Sequence, residues 1–338
     1  MKARSAGEPP RLRLDRLEPL RLGHGPTPLR PLLGLPGEAQ VWLKDDGAYA
    51  PHGGNKARKL EWLLADALAR RRRTVITGGA IGTNHGLATA LYARQLGMRT
   101  VLVLVPQPED DHVRAQLERM RATGAELRFA AGPVRAFALA ATLLIRRAEP
   151  PLRLPYLILP GGSVPLGCLG YVQAGLELGW QVEQGVLPEP THVVVALGSG
   201  GTAAGLLLGM RAAGLRSRLV CVLVNDITAV DAGTVARLAR RTQRLLARRG
   251  ARIPEVDLRA ERAEVRDQWL GGGYGHPSAE GAAATEAFAN EGVTLDPVYT
   301  AKAAAALLEM SGRGELGPGP VLFWHTYGGN GSGAGGGG

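Results

Sequence analysis

The stretch HVVVALGSGGTAAGLLLGMRA, residues 192–212, carries a strand pattern, a glycine-rich loop and a helix pattern in direct succession. Its first six residues form a near-continuous apolar run, as in a strand of a parallel sheet that is covered on both faces. Glycines in the loop let a ligand approach the backbone, and the helix N-terminus offers free N–H groups with a partial positive charge. The stretch therefore predicts an α/β fold with a phosphate site. Its residues would be Gly198, Ser199, Gly200, Gly201 and Thr202.

Two classes of phosphorylated cofactor fit this loop. The spacing Gly198-x-Gly200-x-x-Ala203 satisfies the dinucleotide fingerprint, and Asp226 ends the next strand pattern, near the place of a ribose-binding acid. An ordinary glycine-rich turn between a strand and a helix is a third interpretation. The motif alone does not decide among them, so an NAD-dependent oxidoreductase stays open at this point.

Strand and helix patterns alternate along the chain from Trp42 onward. Short apolar runs predict strands at residues 74–77, 100–105, 154–159, 192–197, 219–224 and 321–324. Apolar residues at helical spacing predict helices at residues 57–71, 84–96, 111–123, 166–178, 202–213 and 300–310. This alternation implies mostly parallel sheets flanked by helices, with right-handed crossovers.

Length and composition restrict the class of protein. The chain has 338 residues, 45% of them hydrophobic, which is enough for two modest domains. No apolar run approaches the ~20 residues of a membrane-spanning helix, and the first thirty residues are unlike a secretory signal. The cysteines, Cys168 and Cys221, are few and far apart, which favours a reducing cytoplasm and argues against a disulfide framework or a metal cluster. We expect a cytoplasmic protein with no membrane segment and no metal site.

The excess of positive charge has two interpretations. The formal net charge is +10 at pH 7, and arginines cluster at residues 70–73 and 237–252. These arginines fall on the polar sides of helix patterns, without the interleaved aromatic residues of a nucleic-acid stacking surface. A solvated basic surface is therefore favoured over a nucleic-acid site.

A second motif, HGGNKARKLE at residues 52–61, places Lys56 in the first turn of a predicted helix. Only five lysines occur in the chain, so few amines are available for covalent chemistry. The positive end of the helix dipole disfavours an ammonium, which lowers the lysine pKa and favours an amine nucleophile. Lys59 lies one turn further on, and we expect Glu61 to balance its charge at the surface. A plain surface lysine at position 56 is the alternative.

A third motif, GGAIGTNH at residues 78–85, again joins a strand pattern to a helix pattern. Backbone N–H groups at this turn could bind a substrate carboxylate, with the side chains of Thr83, Asn84 and His85 nearby. The alternative is that Thr83 or Asn84 only caps the helix.

Seven motifs, in this order and spacing, resemble one enzyme family. They are GGNKARKLE (53–61), GGAIGTNHG (78–86), LPGGSVPLGCLGY (159–171), ALGSGGTAAGL (196–206), GGGYGHP (271–277), DPVYTAKA (296–303) and FWHT (323–326). From about residue 20 to about residue 327 the chain is similar to the D-cysteine desulfhydrase and 1-aminocyclopropane-1-carboxylate deaminase family. These are pyridoxal-phosphate enzymes of the tryptophan-synthase-β-like fold. The resemblance favours pyridoxal phosphate over a dinucleotide.

The resemblance also implies roles for single residues. Lys56 would hold the cofactor as a Schiff base, and residues 198–202 would bind its phosphate. Asn84 would hydrogen-bond the phenolic oxygen of the cofactor, and Thr326 would face its pyridine nitrogen. The substrate side of the ring would be lined by Tyr274 and Tyr299.

The expected architecture has two α/β domains, each an open and mostly parallel sheet flanked by helices. The larger domain would comprise residues 1–49 and 166–327 and carry the phosphate loop. The smaller domain, residues 50–165, would carry Lys56 and the carboxylate loop. We expect the proline-rich first forty residues to wrap the surface as extended chain, and the glycine-rich tail, residues 328–338, to be disordered. The resemblance further suggests a homodimer.

Four positions depart from the family pattern or discriminate within it. Gly82 and Thr83 stand where the family usually has Gln-Ser, and Tyr327 precedes the glycines after FWHT. The cyclopropane-opening deaminases have Glu where this chain has Thr300. A neutral group there leaves the cofactor ring a weaker electron sink, which is adequate for β-elimination.

The predicted reaction is therefore β-elimination of D-cysteine to pyruvate, ammonia and sulfide. Lys56, Tyr299 and Thr83 are the expected catalytic residues, with Lys56 or Tyr299 removing the α-proton. Substrate contacts are expected from Thr83, Asn84, His85, Tyr274, Tyr299 and Thr300. A 1-aminocyclopropane-1-carboxylate deaminase, or a lyase for another β-substituted amino acid such as cysteate or a D-serine-like compound, is the alternative. A non-catalytic protein would rest on the basic charge alone.

Overall fold

The computed structural model describes residues 8–150, 153–227, 229–258 and 263–328. Within these ranges the strands are β1 (Leu29–Pro31), β2 (Gln40–Asp45), β3 (Thr74–Ala80), β4 (Arg99–Val105), β5 (Glu126–Phe129), β6 (Tyr156–Leu157), β7 (His192–Leu197), β8 (Arg218–Leu223), β9 (Glu264–Arg266) and β10 (Pro320–His325). The helices are α1 (Asn55–Ala69), α2 (Asn84–Gln95), α3 (Asp111–Ala122), α4 (Pro133–Arg146), α5 (Pro165–Glu183), α6 (Gly201–Ala212), α7 (Ala232–Arg248), α8 (Ala279–Asn290) and α9 (Thr300–Gly312).

The strands form two sheets, as predicted for this α/β chain. The larger sheet has the order β1-β2-β10-β7-β8-β9, and only the β1–β2 pair is antiparallel. The smaller sheet has the order β5-β4-β3-β6 and is parallel throughout. Two apolar clusters cover the larger sheet, and their members Val193, Val195, Val194 and Val220 alternate between them along the strands. Coverage of both faces explains the continuous apolar runs of the sequence.

Helix α1 lies at the junction of the two sheets. It packs against α5 through Gly170, where a Cβ atom would lie 2.1 Å from the carbonyl oxygen of Arg58. The predicted apolar stripe of α1 is buried up to Ala67, and so are the polar residues Arg58, Lys59 and Glu61. The helix is thus enclosed on all sides, which fixes its position relative to both sheets.

Several expectations need correction. The strand predicted at residues 154–159 pairs only at Tyr156–Leu157, because Pro155 has no N–H to donate and a 3-10 turn begins at Pro160. The first forty residues do not merely wrap the surface, since Leu12, Leu14 and Leu17 are buried in the core of the larger sheet.

Other elements had not been predicted. They are the strands β1, β2, β5 and β9 and the helices α4 and α8. Helix α7 had been indicated only by the helix pattern of the arginines at residues 237–252. The predicted disorder of the glycine-rich tail falls on residues 329–338, which lie outside the described residues. Among the helices that are described, none is both long enough and apolar enough to cross a membrane.

Candidate active site

A cavity of about 570 Å³ lies where the carboxyl ends of both sheets meet. This is the expected place for a ligand in open α/β sheets. Its lining includes residues from all three sequence motifs and from the segment that directly follows β10. Among the predicted site residues that line it are Lys56, Thr83, Asn84, His85, Gly198, Ser199, Gly200, Thr202, Tyr274, Tyr299 and Thr326.

The start of α1 is fixed against the end of β10. The N–H of Asn55 donates to the carbonyl oxygen of Thr326 at 3.1 Å. Gly54, which precedes the helix, has a φ of +46°, and a Cβ atom there would lie 2.4 Å from the backbone nitrogen of Gly328. Glycine is therefore required by both conformation and space. This contact sets the direction in which Lys56 enters the cavity.

The amine of Lys56 has no carboxylate partner among the described residues. Burial lowers its pKa to about 7, and the nearby charge of Lys59 acts in the same direction while Asp296 opposes it. Burial is thus the main cause of the lowered pKa. The Nζ atom lies 5.8 Å from the centroid of the Tyr299 ring. A substantial fraction of this amine is therefore neutral, and nucleophilic, near pH 7.

Lys59 is a second cation beside the cavity, and its expected surface position was wrong. Its side chain is only 2% exposed, and Nζ donates to the carbonyl oxygen of Gly161 at 3.1 Å. A Cβ atom at Gly201 would lie 3.1 Å from this Nζ, so the amine is adjacent to the glycine loop. Burial lowers its pKa to about 8. Glu61 does not pair with it but accepts from the hydroxyl of Tyr49 at 2.8 Å.

The glycine loop presents polar hydrogens to the cavity. Gly200, the N-cap of α6, has a φ of +85° and provides no side-chain acceptor for the first N–H groups of the helix. Ser163 lies beside it, accepts from the N–H of Gly201 at 3.0 Å and bonds to the hydroxyl of Ser199 at 2.7 Å. Gly201 itself is not among the lining residues. The sequence had not singled out Ser163, although it lies in the motif LPGGSVP.

The loop between β3 and α2 caps a helix and leaves several hydrogen-bond donors without an acceptor. Thr83 caps α2 by accepting from the N–H of Gly86 at 3.2 Å, so the capping alternative is confirmed. The hydroxyl hydrogen of Thr83 and the N–H groups of Asn84 and His85 have no acceptor among the described residues. An N-terminal helix turn with free N–H groups suits a carboxylate. The side-chain oxygen of Asn84 accepts from Nε2 of Gln116 at 2.5 Å, which leaves the Asn84 amide hydrogens as donors.

His85 is buried and unpaired. It is 3% exposed, and neither ring nitrogen has a hydrogen-bond partner within the described ranges. Burial and the charges of Lys56 and Lys59 hold the pKa of the imidazole well below its usual range. The ring is therefore neutral, and it offers one donor and one acceptor to a ligand.

Two tyrosines close the opposite side of the cavity. The hydroxyls of Tyr274 and Tyr299 are 2.7 Å apart, and the rings meet edge to face with centroids 5.9 Å apart. Burial raises the pKa of both phenols, so both stay protonated at neutral pH. Asp226 accepts from the N–H of Tyr274 at 3.0 Å and does not line the cavity. It thus anchors the Tyr274 segment and is not placed to bind a ribose.

Thr300 does not line the cavity, contrary to expectation. It is 1% exposed, and its hydroxyl donates to Oδ2 of Asp296 at 2.8 Å at the start of α9. Asp296 lines the cavity instead, but its oxygens already accept from the N–H groups of Val298, Tyr299 and Thr300. The acid is therefore engaged in capping the helix.

The residues around the cavity fit pyridoxal phosphate. One end has the glycine loop and the amine of Lys59, which suit a phosphate. The middle has the amine of Lys56, which could bind an aldehyde, and the donor of Asn84. The unpaired His85 adds an unsatisfied polar group that a ligand would satisfy. Among the described residues, no cluster of His, Cys, Asp or Glu side chains could hold a metal ion.

Comparisons with known proteins agree with this chemistry. The family model of pyridoxal-phosphate dependent enzymes matches residues 20–326. A D-cysteine desulfhydrase of Klebsiella pneumoniae (strain 342) is 36% identical, over 93% of this chain and 95% of that protein. A D-cysteine desulfhydrase of Salmonella paratyphi A is 34% identical over the same shares.

A solved structure described as a homologue of ACC deaminase is also similar. It has a TM-score of 0.78 and 32% identity, and the match covers 94% of each chain. The fold is therefore that of the tryptophan-synthase-β-like enzymes, as the resemblance implied, and the dinucleotide alternative is wrong. The chain belongs to the family of pyridoxal-phosphate-dependent enzymes that includes the D-cysteine desulfhydrases and the 1-aminocyclopropane-1-carboxylate deaminases.

Proposed function

We propose that this enzyme converts D-cysteine and one water to pyruvate, ammonia and hydrogen sulfide. The names of the similar proteins support this reaction. The observation that carries the proposal is the unpaired amine of Lys56, with a pKa lowered to about 7, near the ring of Tyr299, whose hydroxyl bonds to that of Tyr274. Such an amine can accept a proton from carbon and give one back near neutral pH.

Bound pyridoxal phosphate would withdraw electrons from the bonds at the substrate α-carbon. We assign its phosphate to residues 198–202, with Lys59 and Ser163 beside them. Asn84 would donate to its phenolic oxygen, and Thr326 would lie at its pyridine nitrogen. Thr326 is a neutral group, and Asp296 is engaged in capping α9. A weakly protonated ring is adequate when a thiolate leaves with the electron pair.

The substrate carboxylate would lie at the N-terminus of α2. The hydroxyl of Thr83 and the N–H groups of Asn84 and His85 are the donors there. Lys56 would take the proton from the α-carbon, and the protonated hydroxyl of Tyr299 could give a proton to the departing sulfur. His85, neutral and unpaired, would complete the polar side of the cavity.

A 1-aminocyclopropane-1-carboxylate deaminase is the second candidate. It is favoured by the similarity to the structure of the ACC deaminase homologue. Another β-substituted amino acid, such as cysteate, would use the same donors.

We further propose two domains, a homodimer and a cytoplasmic location. The two sheets support domains formed by residues 1–49 with 166–327 and by residues 50–165. Helix α4 supports self-association, because Val134, Phe137 and Ile145 are 84%, 72% and 75% exposed. The arginines are spread along the chain, which supports a solvated basic surface rather than a nucleic-acid site.

The test is a substrate panel on the purified enzyme. D-cysteine, L-cysteine, D-cysteate, D-serine and 1-aminocyclopropane-1-carboxylate are each supplied, and pyruvate, 2-oxobutanoate and sulfide are measured. We expect pyruvate and sulfide in equal amounts from D-cysteine, with the highest kcat/KM. Production of 2-oxobutanoate as the fastest reaction would establish the deaminase instead.

A further inference from the structure

Gly82 is a glycine for a reason other than backbone conformation. Its φ lies outside the left-handed region, so an L side chain is compatible with its backbone. What a Cβ atom would meet is the amide of Gln107, at 3.0 Å from Nε2 and 3.3 Å from Oε1, and Cγ2 of Val113 at 3.1 Å. The space beside Gly82 is therefore filled by a side chain from the loop after β4.

Gln107 also bonds to the backbone that it covers. The N–H of Gly82 donates to Oε1 of Gln107 at 3.2 Å. The two neighbouring N–H groups have backbone acceptors, Ile81 to the oxygen of Val105 at 3.0 Å and Thr83 to the oxygen of Ala80 at 2.9 Å. Of the three consecutive N–H groups at residues 81–83, that of Gly82 is the one that donates to a side chain, and this side chain is Gln107.

The position of this loop decides where the carboxylate donors lie. Thr83 and the first N–H groups of α2 follow Gly82 directly. Gln107 also reaches toward the other side of the cleft, since its Nε2 is 3.9 Å from the place of a Cβ atom at Gly275, next to Tyr274. A half-buried amide at this place connects the loop to the strand β4 behind it.

We propose that Gln107 is a positioning residue for the substrate carboxylate. Its amide occupies the space that a side chain at position 82 would need and accepts from the N–H of Gly82, so that the donors that follow Gly82 stay in place for the carboxylate. The proposal rests on the proposed function, because it assigns the β3–α2 loop to the carboxylate. Gln107 acts through the loop and does not itself line the cavity.

The test exchanges the two positions in the cofactor-loaded enzyme. Gln107→Ala removes the hydrogen bond to Gly82, and Gly82→Gln places two side-chain amides in the same space. Each variant should raise KM for the amino acid about 3- to 10-fold, which corresponds to the loss of one hydrogen bond. In both variants kcat should change less than about 2-fold. The double variant Gly82→Gln/Gln107→Gly should return KM to within about 3-fold of wild type. The exposed Gln184, at the far end of α5, gives the control Gln184→Ala, which should change neither constant.

Hydrogen exchange gives a readout that does not depend on turnover. The amide of Gly82 should exchange at least about 5-fold faster in Gln107→Ala than in wild type, because its acceptor is removed. An unchanged KM in Gln107→Ala, or a double variant no better than Gly82→Gln, overturns the proposal. If wild type converts no amino acid of the panel, the proposed function fails. In that case hydrogen exchange at Gly82 still tests whether Gln107 positions the loop. An unchanged exchange rate in Gln107→Ala would overturn that role.

Discussion

Helix α1 carries buried cations on two sides, and the two sides differ in one respect. The charge of Arg58 is compensated by the carboxylates of Asp46 at 2.9 Å and Glu177 at 3.0 Å. Lys44 belongs to the same cluster, because its Nζ lies 2.7 Å from Glu177. Lys56 and Lys59, on the cavity side, have no carboxylate partner among the described residues. Burial lowers the pKa of a cationic side chain, as at Lys56 and Lys59. At Arg58 the paired carboxylates outweigh burial and raise the pKa above its usual range. The ion pairs of Arg58 hold α1 in place. Lys56 and Lys59 have no such ion pairs within the described ranges, so their amines are available to react.

Removal of the unpaired amine should have the largest effect on activity. We expect Lys56→Ala to lower kcat by about 10³-fold or more and to abolish the visible absorbance of the Schiff base between cofactor and lysine, since Lys56 is the amine assigned to both. Steady-state kinetics and absorption spectra of the purified variant measure both. Because the amine has no ion-pair partner, the fold should survive. Retention of both activity and absorbance would rule out this assignment of Lys56.

Disruption of the paired side should instead affect stability. Glu177→Ala leaves Arg58 and Lys44 with fewer compensating charges, and we expect the free energy of unfolding to fall by about 3–5 kcal/mol. Urea denaturation measures it, and the exposed Glu183 on the same helix gives the control Glu183→Ala, which should stay within about 0.5 kcal/mol. Equal effects of the two variants would contradict the structural role of the cluster.

This stabilisation should depend on pH. Burial raises the pKa of Glu177, but Arg58 and Lys44 outweigh it and hold the pKa at about 2, below the ordinary 4.5. Because the folded-state pKa is depressed, the contribution is fully present above pH 4.5 and is lost as the pH falls toward 2. The stability difference between wild type and Glu177→Ala should therefore shrink over that window, as seen in denaturation curves at several pH values.

On the unpaired side, removal of the cation should stabilise the cofactor-free protein, whereas removal of Glu177 destabilises it. The folded-state pKa of Lys56 is about 7 and its ordinary value is 10.5, so the unfolded chain binds more protons between these values and stability rises with pH there. Below pH 7 the buried charge destabilises the fold. We expect Lys56→Met to raise the free energy of unfolding by a few kcal/mol at pH 6, since one pKa unit corresponds to about 1.4 kcal/mol. This gain should decrease toward pH 10.5, and a variant less stable than wild type at pH 6 would contradict the account.

Thr300 should give the smallest effect. Its hydroxyl bonds to Asp296 and lies outside the cavity, so Thr300→Val should lower stability by about 1–2 kcal/mol and change kcat/KM by less than about 3-fold. Thermal denaturation and kinetics with D-cysteine measure the two quantities. A large change of KM without loss of stability would contradict this account and indicate that Thr300 contacts the substrate.

Local patterns were sufficient for much of the fold. The strand β7 has the predicted bounds, and α6 is displaced from its predicted bounds by one residue, because a continuous apolar run and a glycine loop specify them locally. The helix α4 was missed because its apolar residues are not confined to one face. Val134, Phe137 and Ile145 are exposed, while a second set packs against the smaller sheet, namely Ala136, Leu139, Ala140, Leu143 and Leu144. Leu12 and its neighbours enter the core from a proline-rich segment that shows no periodicity.

The site was predictable only where one motif contained the whole feature. Lys56 and the loop 198–202 were predicted in this way, and all of these residues except Gly201 line the cavity. The burial of Lys59 depends on α5 covering the other side of α1, which no local pattern reveals. Ser163, Gln107 and Gln116 reach the site from distant segments through single hydrogen bonds, so their roles appear only in three dimensions.

The most direct test of the central proposal is to map the lysine that holds the cofactor. The purified enzyme is reduced with borohydride, digested, and analysed by mass spectrometry for the pyridoxyl mass increment. With an unpaired amine of lowered pKa as the reactive group, the increment should fall on the peptide that contains Lys56, with fragment ions assigning it to that residue and not to Lys59. An increment on Lys59, Lys44 or Lys302, with Lys56 unmodified, would contradict the account.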